Sequence, residues 1–277
     1  MRRSGLLSRL VAPPLLALAL VATPLAAQLR PLDPLDWGIL GAHANTVVVG
    51  SGFYFGQRAS LAGTKGRLLE LGAFRASWSL NRVALEVSGT ALRIFREQTS
   101  FASPLPGVGP ARGARREDTG DYRVSTVVQL THPGSRAGVA LRFGVRLPTT
   151  DDVQGLERDQ TDFFSMLAGH LAHGRWTAGG EIGLGINGTR DLRVGQVDPM
   201  LFALSSSWDF GPFTGLLQAA GQHDTRPNPE FRGTEDLGEA RLGVRVGELR
   251  WVTVSLVRGW TPTSPDLGVA VAFGTRF

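Results

Sequence analysis

Along most of this chain apolar and polar residues alternate one for one. In VALEVSGTA, Val83, Leu85, Val87, Gly89 and Ala91 fall on one side, and Ala84, Glu86, Ser88 and Thr90 on the other. A period of two with unlike faces predicts a β-strand that is apolar on one side only. The rhythm returns in DYRVSTVVQL, where Arg123, Ser125, Val127 and Gln129 oppose Tyr122, Val124, Thr126, Val128 and Leu130. It returns again in AGVALRFGVRL with Arg142 and Arg146, in RWTAGGEIGLGING with Glu181, and in EARLGVRVGE with Glu239, Arg241 and Arg245.

Runs of this kind begin near Thr46, Gly66, Arg82, Gly120, Ala137, Thr161, Arg175, Val197, Phe213, Leu237, Arg250 and Leu267. The links between them alternate. SLN, HPGSR, HGR, DFGP and GEL are short, whereas the stretches around 58–65, 97–119, 148–160, 188–196, 224–236 and 261–266 are longer and polar. An even strand count with short turns at one end and long loops at the other is the plan of a bacterial outer-membrane barrel. The expected fold is therefore all-β: a transmembrane, antiparallel, up-and-down barrel of about twelve strands over residues 46–277, with both chain ends on the periplasmic side. A strand of about ten residues tilted by about 40° spans roughly 25 Å, the height of the apolar band of such barrels.

A soluble β-sandwich also alternates. The difference lies in the second face, where charges recur strand after strand. Closing the sheet makes that face a lumen and turns the aliphatic face to lipid, where no free edge is tolerated. The last strand, LGVAVAFGTRF, then needs a neighbour on each side, and it is predicted to close the ring. Its Phe273 and Phe277 resemble the C-terminal signal read by the barrel-assembly machinery. Phe53, Tyr54, Trp78, Trp176, Trp208, Phe210, Trp251 and Trp260, near strand ends, are the expected interfacial girdles.

The N-terminus changes the domain picture. Arg2, Arg3 and Arg9 precede the short apolar run VAPPLLALALVATPL and the small residues Ala26 and Ala27, the pattern of a secretory signal peptide over residues 1–27. Residues 28–45 are expected to form a short, proline-bearing periplasmic leader that sits inside the periplasmic mouth. Without Arg2, Arg3 and Arg9 the net charge of +5 falls to about +2, and no basic cluster interleaved with aromatics suggests nucleic acid. The absence of cysteine rules out disulfides and a lipid-anchor cysteine.

Candidate function sits in the lumen. Arg123, Arg142, Arg146, Arg241 and Arg245, with Glu86, Glu181 and Glu239, are the expected lumenal and substrate-binding residues. Two readings follow: the arginines attract anionic or carboxylate-bearing solutes, or they pair with the glutamates in a network that holds the barrel rigid. The pairing is the simpler account.

The stretch FGVRLPTTDDVQGLERDQTDFF, with its Leu147-Pro148-Thr149 strand end, acidic glycine-bearing loop and Asp162, resembles the outer-membrane transporter family of the MetA pathway of phenol degradation. The resemblance covers about twenty residues, and Arg146, Asp151 and Asp152 depart from the family's pattern. It implies passive passage of small, often hydrophobic or aromatic compounds. The function expected is a channel or transporter for small solutes, in contact with outer-membrane lipids and lipopolysaccharide and needing no cofactor or metal. The alternatives are a plugged structural or surface-interaction barrel and, further off, a lipid hydrolase. For the hydrolase, of the five histidines (His43, His132, His170, His173, His223) His170 lacks a glycine-bracketed serine, and His223 with Asp224, at the loop end of a strand, is the best candidate. A solvated loop pair is the simpler account, and no catalytic residue is assigned.

Overall fold

The structure, a computed structural model, describes residues 29–40, 45–100, 114–132, 134–158, 160–188, 196–224 and 235–277. The signal-peptide reading of residues 1–27 lies outside them, as do His43 and most of the 97–119, 188–196 and 224–236 loops. The strands are β1 (Thr46–Ala59), β2 (Thr64–Leu80), β3 (Val83–Ser100), β4 (Arg115–Asp118), β5 (Tyr122–Gln129), β6 (Ala137–Leu147), β7 (Asp162–His173), β8 (Trp176–Gly188), β9 (Gln196–Val197), β10 (Pro199–Asp209), β11 (Phe213–Asp224), β12 (Leu237–Val246), β13 (Arg250–Gly259) and β14 (Leu267–Arg276). β4 and β9 are short pieces at the loop end; the other twelve form a closed antiparallel barrel. Closure comes from β8 pairing with β10, and from β14 pairing with both β13 and β1 in a register that sets Val49 opposite Phe273. The final strand thus has no free edge.

The turns follow from local chemistry. Asn81, with φ of 64°, makes the two-residue link between β2 and β3 in the left-handed conformation that Asn tolerates. One outer connection is shorter than the sequence suggests: only Ser60–Gly63 separate β1 from β2, because pairing continues from Ala59 and Thr64. In β2, Gly72 (φ 63°) breaks the alternation. Leu68 and Glu70 before it and Arg75 and Ser77 after it all point inward, as do Glu86 and Arg93 on β3.

Outside, Leu217, Leu242 and Leu256 adjoin in register across β11, β12 and β13 and are 53–62% exposed. Such a belt is stable only against hydrocarbon. Replacing Leu242 with Arg is expected to cost about 2–4 kcal/mol, the midplane value for a barrel's lipid face. The denaturant midpoint for unfolding from lipid vesicles would measure it. Trp78, Trp208, Phe210 and Trp260 are exposed at the belt margins as expected. Tyr54 and Trp251 are not girdle residues: both fall on the inward parity of their strands and are 3% and 4% exposed. Phe273 and Phe277 are outward and exposed.

Two apolar clusters lie inside the barrel. Toward the turns, Leu35 and Ile39 pack on Ala84, Val127, Ala140 and Ala168, with Trp37 and Leu40 against them. Toward the loops, Leu29 packs with Tyr54, Leu68, Phe95, Leu156 and Val257. Residues 29–40 thus run the length of the lumen. The leader reaches far beyond the periplasmic mouth, because its apolar residues find small or apolar inward partners at both ends.

Candidate transport lumen

Between those clusters the leader is held by charge. Arg30 sets Nε 2.5 Å from Glu239 and Nη1 3.2 Å from Glu70, tying β12 to β2, and its guanidinium lies 4.0 Å over the Tyr54 ring. Asp33 meets Arg241 at 2.5 Å and Arg75 at 3.1 Å, bridging the same two strands. The leader's backbone is held as well: Leu35 donates to Glu181 at 2.5 Å, the Asp33 carbonyl accepts from Arg142 at 2.9 Å, and the Arg30 carbonyl accepts from Arg123 at 3.3 Å.

The inward arginines are ordered by these partners. Arg142 binds Glu86 at 2.6 Å and Glu181 at 3.3 Å, with all three side chains 2% exposed. Arg146 pairs with Asp162 and lies 3.3 Å from Asp121, while Arg158 reaches Asp162 at 2.7 Å. Arg93 joins Glu70 at 2.8 Å and pairs with Glu157. Glu157 and Arg158 belong to the loop after β6, which folds down into the outer mouth with Leu156 fully buried. Buried charges require such partners, since an unpaired one costs several kcal/mol.

All eight sequence candidates lie on the lumenal face, and the structure divides them. Glu86, Arg142 and Glu181 form one cluster; Glu239 and Arg241 meet directly at 3.4 Å and each also holds a leader residue; Arg146 belongs to the outer cluster; Arg123 is spent on a leader carbonyl. Arg245 stands apart, 5.2 Å from the Trp251 ring, with its Nε buried and without a hydrogen-bond partner. Sequence reading missed Arg30, Asp33, Glu70, Arg75 and Arg93. The first two are the leader's charges, and the other three sit on the paired strands β2 and β3, around the break in alternation at Gly72 of β2. No group of three metal-ligating side chains occurs among the described residues.

A cavity of about 510 Å³ remains beside the leader. It reaches from Thr46 and Arg276 at the turn end to Arg93 and Glu157 at the loop end. The wall from β10 to β14 is rich in hydroxyls, with Ser205, Ser207, Thr214, Thr253 and Ser255, while Gly50, Ala270 and Ala272 supply the space.

No family model matches the chain, and no curated protein matches its sequence, so the likeness of residues 143–164 to the MetA-pathway family remains a local one. Among solved structures, the COG4313 outer membrane channel from Pseudomonas putida F1 is similar with a TM-score of 0.62 at 13% identity, covering 89% of this chain and 100% of that one. The transport unit of the autotransporter AIDA-I from Escherichia coli is similar with a TM-score of 0.48 at 11% identity, covering 88% of this chain and 93% of that one. The chain thus has the closed, twelve-stranded fold of a bacterial outer-membrane channel.

Proposed function

We propose that the protein is a passive outer-membrane channel for small solutes whose own leader narrows the lumen. The observation that carries this reading is the cavity of about 510 Å³ that persists beside residues 29–40. A barrel built only for rigidity would fill that space with side chains, whereas here glycine, alanine and hydroxyl residues keep it open. The lumen is otherwise well filled, so passage requires the leader to shift, and the conducting state is brief. Residues 1–27 act in this reading as a signal peptide, and Phe273 and Phe277 as the mark read by the assembly machinery. The lipid contacts, including lipopolysaccharide, are those of an outer-membrane protein of Gram-negative bacteria. The proposed action is transport without catalysis.

Single-channel recording of the purified chain starting at Gln28, in a planar bilayer under a salt gradient, tests it. The expected record is short, discrete openings on a closed baseline, with a reversal potential leaning toward anions. A silent protein would overturn the reading if the leader-deleted chain were silent too. The density of buried ion pairs favours a second reading, a plugged structural barrel, and that double silence is its signature.

A further inference from the structure

We infer that the β10–β14 wall of the lumen carries a binding site for a small aromatic monocarboxylate, built on Arg245 and Trp251. This deepens the channel reading and rests on it for access from solution.

Charge accounting selects the place. Of the arginines that line the cavity, Arg30, Arg75, Arg93 and Arg241 have carboxylates within 4 Å, Arg123 donates to a carbonyl, and Arg276 is exposed at the turn end. Among the described residues Arg245 has neither, and its buried Nε has no acceptor. A buried donor left without an acceptor is costly, and a carboxylate is the group that guanidinium binds best, through two parallel hydrogen bonds. Arg245 is therefore a binding group without its ligand.

The surroundings define the rest of that ligand. The Trp251 ring stands over Gly274, where a Cβ would come within 2.1 Å of it, so this glycine lets the indole lie along the wall beside the guanidinium. A ring placed next to it gains stacking contact. Thr214 and Thr253 flank Arg245 in register on the neighbouring strands, and their hydroxyls line the cavity. The volume is within the range of small-ligand sites. Asp209, which accepts from Thr214 at 2.8 Å, lines the same wall. Its charge disfavours a second negative group, so the occupant is a monoanion and not a dianion.

The test uses the chain starting at Gln28 in detergent micelles, with 4-fluorobenzoate as the probe and fluorine relaxation as the readout. 4-Fluorobenzyl alcohol, which lacks the carboxylate, corrects for partition into the micelle. Saturable broadening of the benzoate beyond that of the alcohol is expected, with affinity falling about tenfold or more in Arg245→Gln. Arg245→Gln orphans no carboxylate and is expected to fold. If it does not, Asp209→Asn serves, because it should improve binding of 4-fluorophthalate relative to 4-fluorobenzoate. Broadening equal to the alcohol's, or unchanged in Arg245→Gln, overturns the site, as does an unchanged phthalate preference in Asp209→Asn. Bilayer recording separates the two claims. Binding that depends on Arg245 in a protein that never conducts keeps the site and removes the channel, and conduction without such binding does the reverse.

Discussion

Deleting residues 28–40 while keeping Asn45 and the whole barrel should raise single-channel conductance about threefold or more and lengthen the openings. Twelve strands lie between the eight-stranded barrels that side chains fill and the sixteen-stranded barrels that hold water. In this chain the leader makes the difference, since its two apolar clusters and its ion pairs occupy the axis of the lumen. Once it is gone, Glu70, Glu239, Arg75 and Arg241 lose a partner but gain water, so the barrel is expected to survive. Asp33→Asn, which releases only the Arg75 and Arg241 ties, should fall between the two states, with longer openings at little change in unitary current. Recording the three proteins in one bilayer composition decides it. Identical conductance in all of them would mean that solutes do not use the lumen.

The opposite outcome is expected at Arg142. Arg142→Met leaves Glu86 and Glu181 facing each other where the side chains are 2% exposed and the leader keeps water out. Glu86 retains Arg75 at 3.7 Å and Glu181 retains the Leu35 amide, so the loss should be at the lower end for a broken buried pair, about 3 kcal/mol. It would appear as a lower temperature for the change in electrophoretic mobility of the folded barrel. Combining Arg142→Met with Glu86→Gln and Glu181→Gln removes every stranded charge and should restore most of the stability, as neutral replacement of buried ionic groups commonly does. If the triple variant were no better than the single, the role of Arg142 would be packing of its long side chain and not charge.

The strand plan was legible because lipid imposes it. Each outward position must be apolar and each strand must have two neighbours, so the alternation in VALEVSGTA and LGVAVAFGTRF carried both the topology and the closure. The lumen was less legible. Alternation marks which residues point inward but not which of them meet, and Arg142 and Arg245 read alike in sequence although one is clamped between two carboxylates and the other has none. Trp251 and Tyr54 were misread as girdle residues because position near a strand end outweighed parity. The depth of the leader had a signal that went unused: Ala84, Val127, Ala140 and Ala168 interrupt the polar face on four strands, and an apolar patch inside a barrel needs something to cover it. Leu35 and Ile39 cover it.

The leader also joins parts of the chain that are far apart in synthesis. Arg30 holds Glu70 and Glu239 together, and Asp33 holds Arg75 and Arg241, so β2 and β12 meet through a segment that precedes both in the chain. Bringing such distant strands together is entropically costly and slow. A charged strip joined to the first strand lowers that cost by offering the late strands a template. The segment that fills the axis of the lumen thus also fastens an early strand to a late one from inside the wall.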